Sequence, residues 1–362
     1  MHRVLTILLS LFLLSLSLHA QTEKADSAET ALPVDVSAYY VEVTPGSTLA
    51  SVFGHAAIRM SCPSAGLDYC FTIKTPEIND EFFDILFGHL RVGLVPEQTS
   101  QFRADYLQQG RGITEYRLAL TLDEARQLWQ TLDGQVARGL YWDMDYVNNG
   151  CTQVIFEGLY DLMRQRPALK VDDVIRETLP MHTRREAVFS VLSPASWLGF
   201  FLHSCYAGPI DEEVSARRLV ILPSDGAKVL ENARLVAARQ TLATPSVTPL
   251  SEDHAAFTPL MASVLFLLLC LLPYRKIDYV ALPLQAVLLL LFCTLTFFSR
   301  SSGFGWNWLI LALFPLTAPV GILYMLFHMG SIFSLPQLVV AVAFMIRTIY
   351  RISWKKRLFT KY

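Results

Sequence analysis

A chain of 362 residues has room for one large domain or two of ordinary size. Apolar residues make up 52% of it and charged residues 17%, whereas soluble domains carry nearer ~25% charge, so part of the chain is expected in lipid. The formal net charge of −2, without a long basic run, argues against nucleic acid as a partner.

His2 and Arg3 precede an apolar run from Val4 to Leu18 that ends Ser17-Leu18-His19-Ala20. Residues 1–20 therefore read as a secretory signal peptide, with an uncleaved anchor as the alternative, and place the domain after them in an oxidising compartment. Residues 21–34 are small, polar and charged and read as a flexible leader. From 35 to 242 the pattern is that of a mixed α and β domain. Strands are expected over Ala38–Thr44, His55–Met60, Tyr69–Lys74 and Thr114–Leu120, with His55, Ala57 and Arg59 on one face of the second. Helices are expected over Phe82–Val92, Val95–Tyr106 and Leu122–Leu140.

The stretch around Asn148-Asn149-Gly150-Cys151 breaks the preceding pattern. Apolar residues then recur at helical spacing at Val154, Ile155, Leu159, Leu162 and Met163. Cys151 falls in the first turn of that helix, where backbone N–H groups favour a thiolate over a thiol. A nucleophile and a buried, inert cysteine are both open readings of it. The aromatic run Trp197-Leu-Gly-Phe-Phe-Leu-His203 is expected to pack in the core, with a lipid-facing or acyl-lining surface as the alternative. Residues 243–257 open with two prolines, Pro245 and Pro249, and read as an interdomain linker.

Beyond the linker, residues 258–350 hold four apolar runs: Pro259–Leu272, Val280–Phe298, Trp308–Phe327 and Leu335–Ile346. A span needs ~20 apolar residues, so the second and third are the strongest membrane helices of an expected three or four. A basic tail occupies 351–362. A cleaved signal puts Arg275-Lys276 inside, as the positive-inside rule prefers, but four spans would place Lys355-Lys356-Arg357 outside, against it.

Of the six cysteines, Cys270 and Cys293 lie in apolar runs, and Cys62 and Cys70 flank a short loop that a local disulfide would close. Cys151 and Cys205 remain as free thiols. Thiol catalysis needs a base, and five histidines lie between the leader and the apolar runs: His55, His89, His182, His203 and His254. His55, after Phe53-Gly54 at the head of a strand, is the first choice and His182 the second. No two histidines have useful metal-ligand spacing and there is no Cys-x-x-Cys, so neither a metal nor a cofactor is expected.

The ordered set Pro45-Gly46, Phe53-Gly-His-Ala-Ala-Ile-Arg59, Phe87-Gly88, Gly110-Arg-Gly-Ile-Thr-Glu115, Tyr141 and Asn149-Gly-Cys-Thr152 resembles the periplasmic domain of the Lnb-type lipoprotein N-acyltransferases. Thr183-Arg184, Trp197, Asp211 and Leu222-Pro223 continue the set, and Asn307-Trp-Leu309 with Phe314-Pro-Leu316 resemble the family's membrane tail. The resemblance implies an α+β, circularly permuted papain-like (NlpC/P60-like) exported domain followed by a helical transmembrane bundle in the inner membrane. It also implies transfer of an acyl chain from membrane phospholipid to the N-terminal amine of diacylglyceryl-cysteine lipoproteins. His55 and Cys151 match the family's histidine and cysteine. Arg59, Arg111 and Asn149 match motif positions as substrate-binding residues or structural anchors. The family's Asp-Asn-Cys is replaced by Asn149-Gly150-Cys151, and its Tyr-Asn-Phe-Gly element is not clear in Tyr69–Lys74, which leaves the histidine-orienting residue unassigned. A cell-wall peptidase and a non-catalytic binding protein with a Cys151–Cys205 disulfide are the competing readings.

Overall fold

The computed structural model describes residues 35–75, 89–145, 149–193, 195–205, 209–250, 256–298 and 335–359. The signal-like run, the leader, residues 82–88 of the first expected helix, His254 and the apolar run 308–327 lie outside these residues.

Seven antiparallel strands form one sheet in the order β6-β4-β3-β2-β1-β5-β7. They are β1 Ser37–Val43, β2 His55–Cys62, β3 Leu67–Lys74, β4 Arg91–Gln98, β5 Ile113–Leu118, β6 Tyr141–Asp143 and β7 Val236–Ala243. Alternation sends Tyr40, Ile58, Met60, Phe71 and Ile73 to one face, where helix α3 (Cys151–Arg164) covers them with Ile155, Phe156 and Leu159. Helices α2 (Leu122–Ala137) and α7 (Pro223–Asn232) complete that layer through Leu128, Leu132, Val229 and Leu230. Val41, Val43, Ala57 and Cys70 point to the other face and meet Phe102 and Tyr106 of α1 (Thr99–Gln108). The middle strands are thus apolar on both sides because helices cover both sides. Short helices α4 (Val171–Thr178), α5 (Arg184–Phe189) and α6 (Trp197–Cys205) fill the region between α3 and α7.

Two expectations and one competing reading are corrected. From Arg91 to Gln98 the chain is a strand where helix was expected, because this segment is hydrogen-bonded between β3 and β6, and the helix begins only at Thr99. Cys62 and Cys70 are both free. Register explains why: Cys62 pairs with Leu67 and Cys70 with Arg59, so the two sulfurs are three positions apart on opposite faces of the sheet. Cys151 is also a free thiol, which excludes the Cys151–Cys205 bridge. Ala243, the first residue of the expected linker, is the last of strand β7, and residues beyond it form a strap bonded to the domain: Ser246 and Val247 donate to the Gly110 carbonyl and Leu250 donates to that of Gly46.

After this strap come α8 (Pro259–Leu271), α9 (Asp278–Phe298) and α10 (Leu335–Phe359). Among the described residues one helical stretch, Leu335–Trp354, is long and apolar enough to cross a membrane. The fourth apolar run, expected to stop at Ile346, is therefore the longest described. Arg347 does not end it, because the guanidinium is fully buried against Asp278.

A charge network around the buried carboxylate of Glu115 ties β2 to β3, β5 and α1. Arg59 donates to Asp68 at 2.7 Å and to Glu115 at 2.8 Å, and Arg103 reaches Glu115 at 2.6 Å. Glu115 is 3% exposed, so losing a partner leaves a desolvated carboxylate only half neutralised. Arg59→Ala is expected to lower stability by about 2–4 kcal/mol in urea unfolding, with the far-UV circular dichroism of the folded state unchanged.

Candidate active site

Two local devices bring an imidazole and a thiol to one place. Gly54 holds φ +83°, and a Cβ there would sit 2.7 Å from the Val43 carbonyl oxygen. Only glycine makes this turn without strain, and it delivers His55 as the first residue of β2. On the facing layer, Gly150 is the N-cap of α3 and Cys151 its first residue. Packing of Ile155, Phe156 and Leu159 on the sheet then sets that helix start over the start of β2, where the backbone N–H of Ala56 hydrogen-bonds the Cys151 sulfur.

His55 and Cys151 line one cavity of about 140 Å³. Its walls are otherwise largely apolar: Phe53, Ile73, Leu90, Val92, Met144 and Ile221. A larger cavity of about 520 Å³ lies between α2 and α3, lined by Glu157, Asp161 and Trp142 among others, but no thiol or imidazole faces it. The thiol and the imidazole singled out by the sequence therefore both face the smaller one.

The histidine is held from two directions. Its Nε2 lies 2.6 Å from the Thr72 hydroxyl, which is fully buried on β3, and its ring stacks on Tyr106 at 5.6 Å. When Nε2 donates to Thr72, Nδ1 keeps its lone pair and is the basic nitrogen. Thr72 thus occupies the orienting position that the sequence motifs left unassigned. Residue order alone does not single it out, because a strand threonine with β-branched neighbours looks like ordinary sheet. Register supplies the missing signal, since Thr72 pairs with Ala57 and so stands diagonally opposite His55 on the same face.

Burial pushes the His55 imidazole down to about 3, with Arg111 and Lys74 adding repulsion, so it is neutral at physiological pH. Burial likewise pushes the Cys151 thiol up, outweighing the Ala56 and Thr152 N–H groups and the Arg111 charge, which all favour the thiolate. The expectation of a thiol acidified by its helix start is therefore corrected: the donors are present, and desolvation exceeds them.

Arg111 is 4% exposed, donates to the Thr44 carbonyl at 2.8 Å, and lies 4.8 Å above the Tyr106 ring. It is close enough to act electrostatically on both His55 and Cys151. Asn149 is turned to the backbone of the preceding loop: its Oδ1 accepts from the Asp145 N–H at 2.5 Å and its Nδ2 donates to the Asp143 carbonyl at 3.2 Å. It braces the turn before Cys151. Arg59, further along β2 from His55, belongs to the charge network described above. His182 is exposed at the N-terminal end of α5 and does not line the cavity. His203 is fully buried against Phe189 at 5.1 Å.

Residues 23–188 match the family model of the Lnb N-terminal periplasmic domain. His55, Thr72, Tyr106, Arg111 and Cys151 all fall within this stretch. The match supports the Lnb-type resemblance, and with the candidate span Leu335–Trp354 it describes a membrane protein that carries a periplasmic domain. No curated protein and no solved structure matches the chain. Several Lnb-type motif positions have architectural work. Pro223 packs against Gly54 and its carbonyl accepts from the Tyr40 hydroxyl at 2.9 Å, and Asp211 pairs with the buried Arg185.

Alkylation of Cys151 by iodoacetamide, followed by mass spectrometry of the labelled peptide, should reach half its limiting rate above the pH of an ordinary thiol. Arg111→Gln removes a charge that favours the thiolate and is expected to move that midpoint further up.

Proposed function

We propose that this chain is a membrane-anchored thiol acyltransferase that moves a fatty acyl group from membrane phospholipid to the N-terminal amine of diacylglyceryl-cysteine lipoproteins. The observation that carries the reading is a free thiol at a helix start sharing an apolar cavity with a neutral, Thr72-held imidazole. The permuted papain-like arrangement belongs to this proposal: histidine on a strand precedes cysteine on a helix in the chain, with an antiparallel sheet beneath both. So does placement in the inner membrane.

In the first half-reaction Nδ1 of His55 takes the Cys151 proton as the sulfur attacks the ester carbonyl of the lipid. The Ala56 N–H and the N–H groups at the start of α3 are the donors available to the oxyanion. Collapse breaks the ester C–O bond, the departing alkoxide takes the proton from His55, and a lysophospholipid leaves behind an acyl-cysteine. In the second half-reaction the free α-amine of the lipoprotein attacks the thioester and His55 accepts its proton. The C–S bond then breaks, the amide is released, and the thiolate recovers the proton. A buried neutral pair suits this sequence, because charge develops only while substrate occupies the cavity and water is excluded.

The apolar walls favour an acyl chain over the sugar–peptide substrate of a cell-wall peptidase. The cavity wall is also continuous with a second cluster in which Phe53 and Ile221 pack with Leu198 and Leu202 of α6. Trp197, at the head of α6, donates to the Phe257 carbonyl at 2.9 Å, two residues before α8 begins. The cavity wall and the start of α8 are thus linked through α6, by apolar packing at one side and a hydrogen bond at the other.

Cys151→Ser is expected to keep its circular dichroism and thermal transition while N-acylation falls by at least ~10³-fold. Mass spectrometry of lipoprotein N-terminal peptides reads this, and full N-acylation in that variant refutes the proposal. Thr72→Val should lower kcat roughly 10-fold or more with little change in KM, and Thr72→Ser should restore it. Altered muropeptides with unchanged lipoproteins in a deletion strain would favour the peptidase instead.

A further inference from the structure

The helices after the strap carry an arrangement that the thiol chemistry does not use. Contacts between α8 and α10 advance together along both helices. Phe266 meets Phe344 at 5.6 Å between ring centres, and the Tyr350 hydroxyl donates to the Leu271 carbonyl at 3.0 Å. The two helices therefore run parallel. At their shared end Arg347, fully buried, donates to the carbonyls of Leu272 and Tyr274 at 2.9 and 3.1 Å and to Asp278 at 3.0 Å. Arg351 reaches the same carboxylate at 3.1 Å. One guanidinium thus caps the C-terminal carbonyls of α8 and neutralises the acid that starts α9.

Around this knot the surface is basic and aromatic. Arg275 and Lys276 are exposed in the α8–α9 turn, and Arg275 lies 5.3 Å from the Trp354 ring. Tyr350 and Trp354 stack at 5.8 Å, and Tyr274 is 65% exposed. In sequence Lys355-Lys356-Arg357 continue from the same end of α10. The other end of α8 is held near the periplasmic domain, by Leu250 bonded to Gly46 and Phe257 bonded to Trp197.

We propose that the α8–α9 turn and the C-terminal half of α10 form one basic, aromatic-rimmed surface seated on the anionic headgroups of the cytoplasmic leaflet, with the starts of α8 and α10 facing the periplasm. Charge complementarity selects the occupant, since basic side chains with Trp and Tyr at one level match an anionic lipid surface. The arrangement removes the conflict in the positive-inside count, because both basic groups now lie on one side. The thirteen residues of α8 rise only ~20 Å against a hydrocarbon core of ~30 Å, so the bilayer thins beside it.

The full-length chain, carrying at its C-terminal end either green fluorescent protein or alkaline phosphatase, tests the orientation in cells. A fluorescent first fusion and an inactive second are expected, and a dark first with an active second overturns the proposal. The unfused chain then tests the lipid class in vesicles of phosphatidylcholine alone or mixed with phosphatidylglycerol. Phosphatidylglycerol should raise the melting temperature, and Arg275→Gln with Lys276→Gln should remove at least half of that rise. No rise, or an equal rise in the variant, overturns the assignment to anionic headgroups.

Discussion

The docking of the first turn of α3 on the head of β2 is the contact on which the site depends. Ile155, Phe156 and Leu159 bury against Ile58 and Phe71, and this apolar seal sets the position of the Cys151 sulfur to within a hydrogen bond of the Ala56 backbone. The strand does the converse for His55, with Gly54 turning the chain and Thr72 receiving the ring. Neither side chain has local structure that would bring it to the other. Their meeting is a consequence of a helix layer packed on a sheet.

The same burial decides the electrostatics. A thiol and an imidazole taken out of water both stay neutral, and the N–H groups around the sulfur do not reverse this. Arg111 sharpens the asymmetry: a fixed cation favours thiolate and opposes imidazolium, while burial holds both groups neutral. Its stacking over Tyr106, which in turn stacks on His55, makes it part of the same rigid stack.

Toward the membrane, the strap at 244–250 and the Trp197–Phe257 hydrogen bond keep the domain close to the start of α8. At the far end of α8, Arg347 and Asp278 substitute for the water that helix ends normally use. The first limits how far the domain and α8 move apart, and the second ties α8, α9 and α10 to one another. That geometry suits a site whose proposed substrates are themselves held in a bilayer.

Patterns of short range were legible from residues alone. Alternation disclosed β1, β2, β3 and β5, the 3.6-residue period disclosed α2 and α3, and Gly54-His55 and Gly150-Cys151 stood out because glycine beside a reactive side chain has a specific backbone use. Strand β4 was misread because pairing on both edges, not its own side-chain spacing, makes it a strand. The disulfide between Cys62 and Cys70 failed for a related reason, since closeness in sequence says nothing about which face each sulfur takes.

What the sequence by itself determined was which residues are chemically able to act and which segments favour water or lipid, because these depend on side-chain chemistry and local period. Tertiary structure alone decided that His55 and Cys151 share one cavity, that Thr72 receives the imidazole, that Arg59 and Asn149 serve the scaffold, and that α8 and α10 run parallel. Those facts rest on strand register and on which helix covers which face, and both are set by burial summed over the whole domain rather than by any one stretch of chain.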